Sequence, residues 1–319
     1  MRTPVSVGVV GGSPRAAAYV DALEHLPHAE LRWLCSERRG PAVRRGVRQT
    51  TRFGDLLADD RLDAVLLAVP AAVCHELIAA ALDADKHVYV AGPPAQQSAQ
   101  VQQLLRTARR RGRCLVAADV HRFDPAVLKL SELVRSAELG DVLYAESERR
   151  VAPDDDLLWR VAPEEIALLL DVLGDEPIAV SAHGESYFDV AAPELLDIRL
   201  EFATGIIARL WLSALDARLG SRCSIVGARA TAVVEPGASP CLAVHAKDAD
   251  DAPALLCPRV AAEDPVRKSC EAFLAAVRAV EPEAPGRHVL EVVEVLEQVD
   301  RSLRRAPVAP DLRVVTQPA

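Results

Sequence analysis

Up to residue 121, short and continuously apolar runs alternate with segments whose apolar residues recur at helical spacing. The runs predict strands and the periodic segments predict helices: strands at 5–10, 31–35, 62–69, 87–90 and 114–118, helices at 14–26, 72–84 and 96–111. Strands that are apolar on both faces and alternate with helices are typical of a parallel sheet covered on both sides. Right-handed crossovers then give a doubly wound sheet of the Rossmann type.

Beyond residue 121, strands follow one another with few helices between them. Residues 195–202 alternate apolar and polar side chains, and Thr204-Gly205 turns them into 206–212, which predicts a hairpin. The remaining predictions are strands at 142–151, 223–226 and 231–234, a loop at 246–254, and helices at 125–136, 163–173, 265–280 and 287–303. We therefore expect an α/β chain with a Rossmann domain at 1–121 and, at 122–319, an α+β domain with a large, mostly antiparallel sheet.

Charge and composition narrow the partners to small molecules. A net charge of −9 and short basic runs argue against a nucleic-acid partner. No apolar run reaches the ~18 residues that span a bilayer. The segment from Met1 to Pro4 lacks the architecture of a signal peptide, so we expect a cytoplasmic protein. The seven cysteines are scattered and form no C-x-x-C pair, so we expect buried thiols and no metal site.

The first strand ends in a turn that resembles a dinucleotide-binding fingerprint. Gly11 and Ala16 fit the first and third positions of G-x-G-x-x-G/A, and Ser13 occupies the second. Pro14 suits the first helical position but removes one N–H that would face a phosphate, which the charge of Arg15 offsets. The turn is equally consistent with a simple connection between strand and helix.

The end of the second strand indicates which coenzyme would bind. NAD sites usually carry an acidic residue here for the ribose hydroxyls. This chain has Ser36, with Arg38 beyond it, a combination that suits a 2′-phosphate. We expect NADP(H) rather than NAD(H). The alternative, of equal weight, is that these residues form a solvated basic loop and that no coenzyme binds.

Several further segments resemble the Gfo/Idh/MocA family of oxidoreductases in their order and spacing. They are 63–70 with His75 following, 86–90, 121–125, 133–143 and 264–303. The resemblance covers nearly the whole chain and lies closest to enzymes of nucleotide sugars or polyols. It implies a two-domain fold, a nicotinamide coenzyme contacted by Pro70, His75 and Pro93, and a homo-oligomer, dimer or tetramer.

The resemblance also implies a catalytic lysine in a Glu-Lys-Pro motif and a histidine four residues after an aspartate. Here the first motif reads Ala91-Gly92-Pro93, and Arg160 and Glu164 stand at the aspartate and histidine positions. Loss of a preorganised charge partner for a developing alkoxide typically lowers the rate by ~10²–10³. The sequence thus predicts a substituted catalytic centre.

The candidate residues follow from these positions. Glu164, His121 and Arg160 are the catalytic candidates, and Arg122, Asp124 and Glu165 are the substrate-binding candidates. Helix capping is an alternative role for Asp124, Glu164 and Glu165. We expect a biosynthetic enzyme that acts on a sugar-like or polyol-like molecule by repurposed chemistry, either non-standard or non-redox. The alternatives are an NADP(H)-dependent oxidoreductase with a substituted proton donor and a non-catalytic binding subunit.

Overall fold

The structure is a computed structural model, and it describes residues 4–37, 40, 42–153, 156–188, 192–236, 239, 241–246, 254–279 and 286–305. Its first layer is a six-stranded parallel sheet in the order β3-β2-β1-β4-β5-β6. The strands are β1 Val5–Val10, β2 Ala29–Cys35, β3 Arg48–Thr50, β4 Ala64–Leu67, β5 His87–Val90 and β6 Leu115–Ala117. Strands β1, β4 and β5 are buried on both faces, as their continuous apolar sequences predict.

Helices cover both sides of this sheet, which confirms the predicted Rossmann arrangement. They are α1 Pro14–Glu24, α2 Phe53–Leu57, α3 Ala71–Asp83 and α4 Ser98–Arg111. Strand β3 and helix α2 were not predicted, because both are short and β3 lies at the exposed edge of the sheet. Among the described residues, no helix has the length and apolarity needed to cross a membrane.

The second layer is an eight-stranded sheet in the order β14-β13-β12-β11-β7-β10-β9-β8. Its strands are β7 Val142–Arg150, β8 Pro177–Glu185, β9 Leu195–Phe202, β10 Ile207–Ser213, β11 Gly220–Gly227, β12 Ala230–Val234, β13 Leu242–Ala246 and β14 Ala254–Leu256. The predicted hairpin is β9–β10. All neighbouring pairs are antiparallel except β7 and β10, which confirms the mostly antiparallel sheet. Of the predicted loop at 246–254, residues 247–253 lie outside the described residues.

Four further helices pack against one or the other of the two sheets. They are α5 Pro125–Arg135, α6 Ala162–Leu173, α7 Pro265–Ala279 and α8 Gly286–Arg305, with a 3₁₀ turn at Val120–Phe123 and a π-helical turn at Leu157–Val161. Helices α5, α6 and α8 share one core with the second sheet. Helix α7 instead buries Phe273 and Leu274 in the core of the first sheet. The domain boundary at residue 121 stays a prediction. It separates the residues of the first sheet from those of the second, but α7, which follows the boundary in sequence, packs in the core of the first sheet.

Candidate functional site

The carboxyl ends of β1, β4 and β5 open into a crevice of about 230 Å³. From β1 the chain continues to β2 and β3 on one side of the sheet, and it then returns to β4 on the other side of β1. The strand order therefore reverses between β1 and β4, and in such sheets ligands bind at this switch point. Predicted cofactor residues line the crevice together with two residues of the π-helical turn. The lining includes Ser13, Arg15, Pro70, Gly92, Pro93, Trp159 and Arg160.

The β1–α1 turn brings the backbone of Gly11 and Gly12 close to Ala68 and Ser36. Gly11 has a φ of +139°, and a Cβ atom there would overlap the carbonyl oxygen of Ala68. A Cβ atom on Gly12 would lie 2.5 Å from the Ser36 hydroxyl oxygen. Ser13 caps helix α1, since its hydroxyl accepts a hydrogen bond of 3.3 Å from the amide of Ala16. This narrow cradle at a helix N-terminus fits a dinucleotide pyrophosphate.

The guanidinium of Arg15 lies at the floor of this crevice. Nη1 donates a hydrogen bond of 2.6 Å to the Ala91 carbonyl oxygen, and Nη2 lies 2.5 Å from Oε1 of Glu164. A Cβ atom on Gly92 would come within 3.8 Å of Arg15 Nη1. The cation therefore occupies the space in front of Gly92, where the family resemblance places a lysine side chain.

A second cavity of about 590 Å³ is formed by the 3₁₀ turn, α5, α6 and strands β7 and β11, and Glu164 of the ion pair is part of its lining. Its polar wall contains His121, Asp124, Arg149, Glu164 and Glu165. Glu164 also lines a small pocket that it shares with Arg15 and Gly92. The Arg15–Glu164 pair thus lies between the crevice at the strand ends, which Arg15 lines, and this larger cavity, which Glu164 lines.

Glu165 is buried beneath the larger cavity. One carboxylate oxygen accepts a 2.5 Å hydrogen bond from the Ser147 hydroxyl, and the other lies 3.1 Å from Arg149 Nη1. Burial raises the pKa of Glu165, although Arg149 and Ser147 oppose this. Arg149 also approaches Glu164, with 3.7 Å between Nη2 and Oε2. The two adjacent glutamates are therefore bridged by one guanidinium.

His121 and Arg122 both bind Asp171 of helix α6. Nε2 of His121 lies 2.8 Å from Oδ2 of Asp171. Arg122 donates two hydrogen bonds to the same carboxylate, of 2.7 and 2.8 Å. Burial raises the pKa of Asp171, but the hydrogen bonds from His121 and Arg122 outweigh it and hold that pKa below its ordinary value. The guanidinium predicted to bind a substrate anion is thus engaged by Asp171.

The remaining predicted residues are spread around these cavities. Asp124 caps α5 by accepting a 2.8 Å hydrogen bond from the amide of Ala126, and it also lines the larger cavity. Arg160 is exposed and lines the nucleotide crevice. His75 lies in α3, outside the lining of that crevice, with Nε2 buried. Arg38 lies outside the described residues.

Sequence reasoning missed the residues of β7 that face the site. Ser147 and Arg149 contact Glu165, whereas Glu146 and Glu148 line a pocket on the opposite face of the sheet, beside Trp211. The period-two alternation of a strand separates these two sets, and the buried Ala145 marks the inner one. Asp171 gave no such signal, because it follows three leucines in a helix that is otherwise apolar there.

Comparison with known proteins identifies relatives of this fold. Residues 5–118 match the Gfo/Idh/MocA family, described as an oxidoreductase family with an NAD-binding Rossmann fold. The chain is 23% identical over 228 residues to the uncharacterized oxidoreductase YrbE of Bacillus subtilis, which covers 65% of this chain and 67% of that protein. It is 29% identical over 165 residues to inositol 2-dehydrogenase 2 of Saccharopolyspora erythraea. That match covers 49% of this chain and 48% of the dehydrogenase.

A solved structure extends the likeness to both layers. KijD10, a 3-ketoreductase from Actinomadura kijaniata crystallised with TDP-benzene and NADP, superposes with a TM-score of 0.84 over 94% of this chain and 98% of its own, at 21% identity. At this identity the likeness concerns the fold alone. The sequence matches to the first curated relatives span between 41% and 67% of those proteins.

Proposed function

Because the Rossmann domain of this chain belongs to the Gfo/Idh/MocA oxidoreductase family, we propose that the protein is a nicotinamide-dependent oxidoreductase of a sugar-like or polyol substrate. In this proposal Arg15 and Glu164 take the places of the lysine and histidine that the family resemblance implies. One observation carries it: the Arg15 guanidinium lies in front of Gly92 and 2.5 Å from Glu164. Gly92 carries no charge, and Arg15 of helix α1 supplies the positive charge in its place.

The coenzyme would bind along the crevice above β1 and β4. Its pyrophosphate fits the turn at Gly11 and Ser13, and its nicotinamide end fits beside Pro70 and Pro93. The residue that follows β2 is Ser36 and not an acidic residue, which favours NADP(H) over NAD(H). A bound nicotinamide supplies the hydride acceptor or donor.

The chain's own residues would position the substrate and handle its proton. A substrate hydroxyl that enters from the larger cavity meets Glu164 first, and the carboxylate can take its proton. The guanidinium of Arg15 then stabilises the alkoxide oxygen that develops. Arg149 keeps a second positive charge 3.7 Å from Glu164. The 3-ketoreductase and inositol dehydrogenase among the relatives support a substrate of this class.

A specific observation favours a second candidate, which is proton transfer without redox chemistry. The buried Glu165 and the His121–Asp171 pair face the same cavity as Glu164. Burial raises the pKa of Glu165, so this carboxyl can hold a proton where an exposed glutamate would lose it. Dehydration or epimerisation of a sugar-like molecule requires such an acid and base within one cavity.

The test is calorimetric titration with NADPH and NADH, followed by coenzyme-linked assays with sugar and polyol panels. We expect NADPH to bind. Arg15→Leu should lower kcat by roughly 10²–10³, and the double variant Arg15→Leu with Gly92→Lys should recover part of the loss. The matched control is Arg110→Leu, since Arg110 lies exposed on α4.

If neither coenzyme binds at millimolar concentration, the redox proposal fails and the proton-transfer candidate stands. If Arg15→Leu turns over as fast as the control, the proposed role of Arg15 is wrong.

A further inference from the structure

Two histidines and an aspartate from separate elements meet between the two cavities. Asp119 precedes the 3₁₀ turn, His121 lies within it, and His288 lies in the first turn of α8. One potential ligand atom from each lies within 4.8 Å of the other two. We propose that Asp119, His121 and His288 bind a divalent transition-metal ion.

The ring of His288 supplies independent support. Its side chain is only 10% exposed, and Nε2 is buried without a hydrogen-bond partner among the residues that the structure describes. Leaving such an atom unsatisfied typically costs about 1–3 kcal/mol. Nε2 lies 3.9 Å from Oδ2 of Asp119 and 3.8 Å from Oδ1 of Asp171, too far for a hydrogen bond to either. A cation bound by Nε2 and by the carboxylate of Asp119 would give this ring nitrogen a partner.

The orientation of His121 is that of a typical metal ligand. A metal-binding histidine commonly directs its second ring nitrogen at a carboxylate, which fixes the tautomer. Nδ1 of His288 lies 3.6 Å from the carboxylate of Glu291, which is beyond hydrogen-bond distance. Nε2 of His121 lies 2.8 Å from Asp171, so Nδ1 is its free nitrogen.

The surrounding charges suit an added cation. The Arg122 guanidinium is bound by two hydrogen bonds to Asp171 and reaches Asp119 only at 3.8 Å. The side chain of Asp119 is 17% exposed, and a carboxylate so largely removed from water is stabilised by a close counter-charge. A metal ion would provide one.

The donor set selects the class of metal. Two imidazoles and one carboxylate suit Zn²⁺, Co²⁺ or Ni²⁺ rather than Mg²⁺ or Ca²⁺, which prefer oxygen ligands. Tetrahedral bonds of about 2.0–2.2 Å place neighbouring ligand atoms about 3.4 Å apart. The 3.9 Å between His288 and Asp119 would have to shorten by about half an ångström. Three protein ligands leave a fourth position for water or a substrate oxygen, and one of the three ligands, His121, also lines the larger cavity.

The experiment uses metal-free full-length protein and metal alone, so its result does not depend on the coenzyme or substrate. Titration with Co²⁺ should develop the visible absorption of a tetrahedral site at one ion per chain, and Zn²⁺ should displace the Co²⁺. His288→Gln and Asp119→Asn should each weaken Zn²⁺ binding by at least ~10–100-fold. His183 is an exposed histidine paired with Glu185, and His183→Gln is the matched control. This variant should bind Zn²⁺ as tightly as the wild type does.

Absence of one-to-one binding at micromolar metal would overturn the proposal, and so would an unchanged affinity in a folded His288→Gln or Asp119→Asn variant. Circular dichroism establishes that each variant is folded. If one of them does not fold, the other decides, and wild-type stoichiometry remains an independent readout.

Discussion

At the scale of single residues, the site depends on an ion pair between positions far apart in the chain. Arg15 and Glu164 are 149 residues apart, and each side chain is about one-third exposed. Solvent screening weakens a pair of this kind, so its contribution to stability is small. Its value is positional: Arg15 is also hydrogen-bonded to the Ala91 carbonyl oxygen, which holds the cation next to Gly92. Removing either partner is therefore expected to affect turnover more than folding.

Glu165 has a more direct link to stability through its protonation. Because burial raises the pKa of Glu165, the folded state retains a proton that the unfolded chain releases near the ordinary glutamate pKa of 4.5. The stabilisation is fully present below that unfolded pKa and is lost as the pH rises through the higher folded pKa. Replacement by glutamine in Glu165→Gln removes the titration and preserves the shape of the side chain.

We expect the free energy of unfolding of the wild type, relative to Glu165→Gln, to fall as the pH rises above 4.5. Urea denaturation at a series of pH values measures this difference. Glu132→Gln, at an exposed position of α5, should follow the wild type at every pH. A pH-independent difference between wild type and Glu165→Gln would show that Glu165 ionises normally in the folded state.

At the scale of elements, the β1–α1 turn determines where a phosphate can lie. Strand β1 is fully buried, and the chain must turn sharply at its end to start α1 beside the carboxyl end of β4. Gly11 permits this through its positive φ, and Ser13 and Pro14 then begin the helix. A wider turn would displace both the crevice and the Arg15 side chain.

Gly11→Ala should therefore destabilise the protein by at least about 2 kcal/mol, since the new Cβ atom adds backbone strain and overlaps the Ala68 carbonyl oxygen. Coenzyme affinity should fall as well. Gly54→Ala is the control, because Gly54 lies in α2 with open space around it, and its stability should be unchanged or slightly higher. Thermal denaturation and NADPH titration of both variants provide the comparison; equal melting temperatures would contradict this explanation of the turn.

Most elements could be predicted because their sequences carry local signals. The apolar run at Val5–Val10 and the alternation at Leu195–Phe202 each reflect the burial that the structure shows. The contacts of the site carry no such signal, since Arg15 meets Glu164 and His121 meets His288 only after distant segments pack together. A folded structure was needed to find these pairs.

At the scale of the whole molecule, the last two helices join the layers. Helix α8 packs beside α6 and β8 of the second layer and beside α4 of the first. Helix α7 lies against α1. The Ser98 amide also donates a 2.7 Å hydrogen bond to Glu297 of α8. The two domains are therefore held by the same C-terminal segment, which also carries His288. The predicted homo-oligomer stays a prediction of the family resemblance.

Phe273 shows how strongly the first domain depends on α7. The side chain is 2% exposed, and its ring centroid lies 5.3 Å from that of Tyr89, whose hydroxyl is hydrogen-bonded to Ser269 of the same helix. Phe273→Ala should lower the free energy of unfolding by about 3–5 kcal/mol, the usual cost of such a cavity. Leu255→Ala, at an exposed position of β14, should change it little. Urea unfolding followed by far-ultraviolet circular dichroism measures both variants.

The loss in Phe273→Ala should come with weaker coenzyme binding, because α7 supports the sheet whose strand ends form the crevice. Loss of stability without any change in coenzyme affinity would mean that the crevice is formed by the first 121 residues without help from α7.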